Sequence, residues 1–97
     1  MEITHRYKLS DFARKHSDVL KPLNNWIERV QQAKWKNHND LKADFPSADY
    51  VTNNRYVFNI KGNNYRIVVI VVFFADEINI RFAGTHSEYT RINVKTI

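Results

Sequence analysis

The chain has 97 residues, a net charge of +5, an isoelectric point near 9.6 and no cysteine. A length of this order makes one domain that buries about 60–65% of its unfolded surface, which leaves little room for an enclosed cofactor pocket. The charge favours a polyanionic partner such as RNA, DNA, an acidic protein or a membrane surface. The absence of cysteine excludes disulfides and thiolate metal sites, in keeping with an intracellular protein.

Residues 67–74 form the longest apolar run, and its eight residues fall short of the roughly 20 that a spanning helix needs. The first residues, Met1-Glu-Ile-Thr-His-Arg6, carry no apolar signal core. A soluble cytoplasmic protein is expected.

Ile3 and its neighbours suit a short edge strand. A helix follows from Ser10-Asp-Phe-Ala-Arg14, with Ser10 as its N-cap. A stronger helix is capped by Asp18 and runs to about Ala33, with Leu20, Leu23, Ile27 and Val30 at helical spacing. Pro22 falls in its first turn, where proline is tolerated. A third, short helix covers Asn39 to Phe45 and stops at Pro46.

From Tyr50 the period changes to that of strands, with turns at Asn53-Asn54, Lys61-Gly-Asn-Asn64 and Ala75-Asp-Glu77. Tyr56, Phe58 and Ile60 alternate with polar residues, as do Ile78, Ile80 and Phe82. Residues 65–74 are apolar on both faces and define the central strand. Short loops make these strands antiparallel neighbours. The expected fold is a single α+β domain spanning residues 1–97, with N-terminal helices packed on one face of a mainly antiparallel, roughly four-stranded C-terminal sheet. The second apolar face of the central strand also needs a cover.

The chemistry gathers in the same half of the chain. Lys61, Arg66 and Arg81 stand at or near strand ends, and His86 and Tyr89 follow at once. Cations that hold a phosphate beside groups that move protons near neutral pH suit metal-free cleavage of an RNA phosphodiester. There the substrate's 2′-hydroxyl is the nucleophile. The protein must remove its proton, stabilise a dianionic phosphorane and protonate the departing 5′ oxygen.

Trp35, the run Leu41-Lys-Ala-Asp-Phe-Pro-Ser-Ala-Asp49, the run Tyr56-Val-Phe-Asn-Ile-Lys-Gly-Asn-Asn-Tyr-Arg66 and the run Ile80-Arg-Phe-Ala-Gly-Thr-His-Ser-Glu-Tyr89 resemble the HigB toxins of the RelE superfamily, over essentially the full length. The resemblance implies a RelE-like toxin of a type II toxin-antitoxin pair. Such a toxin cleaves mRNA, usually in the ribosomal A site during translation, and is neutralised by a cognate HigA-like antitoxin. No cofactor or metal is implied.

His86 is then the natural proton-transfer group, although a histidine closing the last strand would look the same. Tyr89 shares a face with it if a helical turn begins at Ser87, and can donate a proton, stack on a base or simply pack. Arg66 and Arg81, on adjacent strands, are placed to clamp one phosphate across the ladder. Lys61 beside Gly62 can approach a phosphate or act as a base, and Arg55 is a further RNA contact.

Glu88 reads more simply as an ion-pair partner, and the basic N-terminal residues Arg6, Lys8, Arg14 and Lys15 as a solvated face or an rRNA contact. His5, His16, His38 and His86 are too scattered for a metal motif. Trp26 and Trp35 read as packing residues. The competing function is a non-catalytic RNA-binding or antitoxin-binding module in which the same cations only hold phosphates.

Overall fold

A computed structural model describes residues 1–97. In chain order its elements are β1 (Glu2–Thr4), α1 (Tyr7–Lys15), α2 (Leu20–Gln32), α3 (His38–Asp44), β2 (Asp49–Tyr50), β3 (Arg55–Ile60), β4 (Tyr65–Val72), β5 (Glu77–Thr85) and α4 (His86–Tyr89), with 3₁₀ turns at Ser17–Val19 and Phe73–Ala75.

The sheet has five strands in the order β1-β5-β4-β3-β2. β2 to β5 form an antiparallel meander, as the short loops dictate, while β1 pairs parallel to the start of β5, Ile3 facing Ile78. The fifth strand and the mixed pairing are refinements of the expected α+β architecture. β1 reaches only as far as Asn79, so the outer edge of β5 from Ile80 onward has no strand beside it.

Helices cover one face of the sheet. Leu9 and Phe12 of α1 and Leu23, Trp26 and Val30 of α2 join Tyr56, Phe58, Ile67, Val69, Val71, Ile78 and Ile80 in one apolar core. Full burial of each such side chain stabilises the fold by about 1.5–3 kcal/mol. Trp26 and Trp35 are both packing residues, and the Trp35 indole N–H also donates to Asp44 Oδ2 at 2.7 Å.

The opposite face answers the question raised by the doubly apolar strand. Val57 and Val68 are almost wholly buried there, outside the main core. α4 packs on β4 and β5, and Arg55 reaches the carbonyl of Ile97, so α4 and the C-terminal segment return across this face.

Several local expectations are corrected. α1 starts at Tyr7, three residues before Ser10, and no side chain caps it. Asp18 caps nothing, because its carboxylate is taken by Lys61 and Tyr65. Leu20 is 52% exposed. The central strand ends at Val72, where Phe73 and Phe74 turn away and Phe74 is left 96% exposed.

A bulge in β5 also breaks the expected alternation. Val69 faces Ile80 but Val68 faces Phe82, so Arg81 is the extra residue and Phe82 lies on the far face rather than with Ile78 and Ile80. An inserted residue reverses every later side chain in a period of two.

Candidate functional site

β4 begins and β5 ends at the same rim of the sheet, and α4 starts one residue after β5. This rim carries Arg66, His86, Glu88 and Tyr89, while Arg81 sits further along β5 at the bulge opposite Val68 and Val69. A capping box fixes α4: Thr85 Oγ1 accepts from the Glu88 backbone N–H at 3.0 Å, and Glu88 Oε1 accepts from the Thr85 N–H at 2.8 Å. That backbone hydrogen bond is the main cause holding the Glu88 carboxyl below its ordinary range, with His16 and Lys15 adding attraction. A glycine lies beneath it, where a side chain would force Glu88 or Phe82 to shift. A Cβ at Gly84 would stand 2.7 Å from Glu88 Oε1 and 2.8 Å from Phe82 Cζ.

On the far face Arg66 pairs with Gly84, and the absent side chain leaves the arginine free to rise towards α4. Its guanidinium lies over the Tyr89 ring at 4.7 Å, and Phe82 stands beside that ring at 6.4 Å between centroids. Arg66 and Tyr89 are thus brought together. Arg66 and Arg81 do not meet across the ladder, because Gly84 takes the place opposite Arg66 and the bulge re-aims Arg81.

Arg81 instead lines a groove of about 250 Å³ between α1 and β5, together with Lys8, Lys15, His16 and Glu88. The Nε atoms of both arginines are buried and have no hydrogen-bond partner. Buried donors of this kind are normally satisfied; Trp26 Nε1 and Asn79 Oδ1 are unpartnered in the same way, and an acceptor such as a phosphate oxygen reaches the arginine Nε–H groups only if the atoms covering them move.

The remaining candidates are placed differently. His86 is exposed at the start of α4 and is engaged through its backbone alone, its N–H donating to the Asn64 carbonyl at 3.1 Å and its carbonyl accepting from the Thr90 N–H at 3.2 Å. Lys61 lies in the β3–β4 turn with a left-handed backbone (φ 53°), and its ammonium is held by Asp18 Oδ2 at 2.7 Å. Asp18 Oδ1 also accepts from the Tyr65 hydroxyl at 2.7 Å. Arg55 spends Nε and Nη2 on the Ile97 carbonyl, at 3.1 and 2.6 Å, and Nη1 on that of Asn53. No group of three or more His, Asp or Glu side chains is arranged to hold a metal ion. No helix is long and apolar enough to cross a membrane.

Sequence reasoning passed over His16 and the inward face of α1 as part of this rim. Lys8, Phe12 and Lys15 recur at four and three residues, the spacing of one helix face, and the buried Phe12 among them marks that face as turned towards the sheet.

The fold and its cationic rim define a small basic α+β protein with unspent arginine donors beside titratable side chains. The model of the HigB toxin family, described as the RelE-like toxic component of a toxin-antitoxin system, matches residues 20–92. The mRNA interferase toxin HigB of Escherichia coli K12 is 36% identical over 94 residues, covering 92% of this chain and 88% of that protein. The mRNA interferase HigB of Shigella flexneri aligns with the same figures. That of Escherichia coli O6:H1 is 21% identical, covering 95% of this chain and 91% of that protein. The chain belongs to the HigB toxin family.

Proposed function

We propose that this toxin is an endoribonuclease that cleaves mRNA through the 2′-hydroxyl of its substrate and without a metal ion. The observation that carries the reading is the pair of buried, unpartnered Nε atoms on Arg66 and Arg81 beside α4, which bears His86 and Tyr89. The names of its relatives, mRNA interferases, support the same reading.

Arg66, from the far face, and Arg81, from the groove, each swing towards the rim to hold the non-bridging oxygens of the scissile phosphate and stabilise the charge that grows on them as the phosphorane forms. His86 and Tyr89 supply proton transfer, and the Tyr89 ring holds the Arg66 guanidinium over its face. Lys61 contacts the RNA strand once it exchanges Asp18 for a phosphate, and Arg55, further along β3, does so only by giving up its hydrogen bonds to Ile97 and Asn53. Binding to a translating ribosome supplies the substrate strand and places the reaction in the cytoplasm. A cognate HigA-like antitoxin blocks the rim.

The test is single-turnover cleavage of one defined mRNA, free and on ribosomes, with and without a metal chelator. Cleavage on ribosomes that persists with chelator is the expected result. Tight, salt-sensitive binding with no cleavage in any condition would favour a non-catalytic binding module.

A further inference from the structure

α1 ends in an imidazole. His16 is its C-cap residue and leaves helical geometry at φ −136° and ψ 78°, which brings the ring into the aromatic layer above β4. There it packs 5.5 Å from Phe12 and 5.1 Å from Tyr65 between ring centroids. Tyr65 is itself fixed, 8% exposed with its hydroxyl on Asp18. The His16 ring therefore rests on a rigid platform. Neither of its nitrogens hydrogen-bonds to the protein, and its open side lines the groove that Arg81 enters. Arg81 brings an unspent buried Nε–H to that groove.

The groups facing this imidazole are Lys8, Asp11 and Lys15 from α1, Tyr65 from β4 with Asp18 behind it, Arg81 from β5 and Glu88 from α4. His86, in contrast, is exposed, and its side chain makes no hydrogen bond to the protein. A group that must meet one proton on one oxygen is better placed on a fixed ring beside the phosphate holder than on a free one.

We propose that His16 is a catalytic residue of the RNA cleavage described above. The inference rests on that reading. With the scissile phosphate on Arg81, a ring nitrogen of His16 accepts the 2′-hydroxyl proton while the 2′ oxygen bonds to phosphorus and the bond from phosphorus to the 5′ oxygen breaks. The leaving oxygen takes a proton from α4 or from water. The products are a 2′,3′-cyclic phosphate and a 5′-hydroxyl, and no further reactant is consumed.

The test is single-turnover cleavage of a defined mRNA on ribosomes across neutral pH, by wild type, His16→Asn, His16→Gln, His16→Ala and His86→Ala, with each variant's thermal melting followed alongside. The Asn and Gln variants keep a side chain on the Tyr65 platform. They are expected to melt near wild type, to cleave on the order of 10²–10⁴ times more slowly and to lose the rate's dependence on an ionisation near neutrality. Added imidazole is expected to restore part of the rate of His16→Ala. A substrate with sulfur at the 5′ bridging position, whose leaving group needs no acid, is expected not to rescue any His16 variant.

Wild-type rate and pH dependence in His16→Asn or His16→Gln would overturn the role. So would loss of the neutral ionisation in His86→Ala alone, or a rate loss in the His16 variants that tracks melting and ignores imidazole. A wild-type protein that cleaves no RNA would sink the functional reading itself, and that result is distinct from an active wild type whose His16 variants are equally active.

Discussion

The guanidinium of Arg66 lies over the ring of Tyr89, its carbon 4.7 Å from the ring centroid, while its Nε is buried with no partner. One face of the group is thus spent on the tyrosine. A lysine can reproduce neither the stacking plane nor the fork.

Arg66→Ala and Arg66→Lys are both expected to lower kcat/KM for RNA cleavage by on the order of 10²–10³-fold, the usual cost of losing one donor to a developing oxyanion. The half-exposed arginine leaves the core untouched, so melting should hardly move. Tyr89→Phe keeps the platform and removes the hydroxyl. Its activity is expected to fall nearly as far as that of Tyr89→Ala, and steady-state kinetics of the two variants side by side check this.

Asp18 ties the β3–β4 turn to the start of α2, and its removal has a pH signature with two arms. Hydrogen bonds from Lys61, then Tyr65, hold its carboxyl below the ordinary 3.8, and the bond to Asp18 holds the Tyr65 hydroxyl above the ordinary 10.0. The depressed carboxyl contributes stability fully above its unfolded value, and loses it as pH falls through the folded one. The raised phenol contributes fully below its unfolded value, and loses it as pH rises through the folded one. Asp18→Asn should therefore be less stable than wild type in the neutral range and converge with it in strong acid and strong alkali. Urea midpoints from about pH 2 to about pH 11 measure both arms.

Gly84 tests whether the placement of α4 matters to the chemistry. An added methyl group would crowd Glu88 Oε1 at 2.7 Å and Phe82 Cζ at 2.8 Å. Gly84→Ala is expected to cost about 1–3 kcal/mol of stability, as overpacking does, and to reduce cleavage further by moving Tyr89 off Arg66. Thr85→Ala loosens the same helix by removing its cap, at about 0.5–2 kcal/mol. Denaturant unfolding and cleavage assays on both variants separate the two effects.

The helices and the meander were legible because Leu23, Val30, Tyr56, Phe58 and Ile78 repeat at the periods their elements impose. Two features escaped because their causes are not periodic. The β5 bulge has no signal in the alternation of Ile78, Ile80 and Phe82, and only pairing with Val68 and Val69 reveals which residue is extra. Asp18 carries the chemistry of an N-cap, but Lys61 and Tyr65, distant in sequence, compete for it more effectively.

The candidate site was legible in part for the same reason. Arg66, His86 and Tyr89 come from the start of β4 and the helix that follows β5, so local order placed them at one rim, whereas Arg81 lies further along β5 at the bulge. Lys8, Lys15 and His16 approach from α1, and only the docking of that helix against β5 brings them there.

Whether Arg66 and Arg81 serve in cutting mRNA is decided by inducing wild type, Arg66→Ala, Arg81→Ala and His86→Ala in cells and mapping the 5′ ends of cellular transcripts. Wild type is expected to arrest growth with new 5′-hydroxyl ends inside translated frames, and soluble, folded arginine variants to lose both effects. Arrest by wild type without new ends, or cutting that survives both arginine substitutions, would contradict that role.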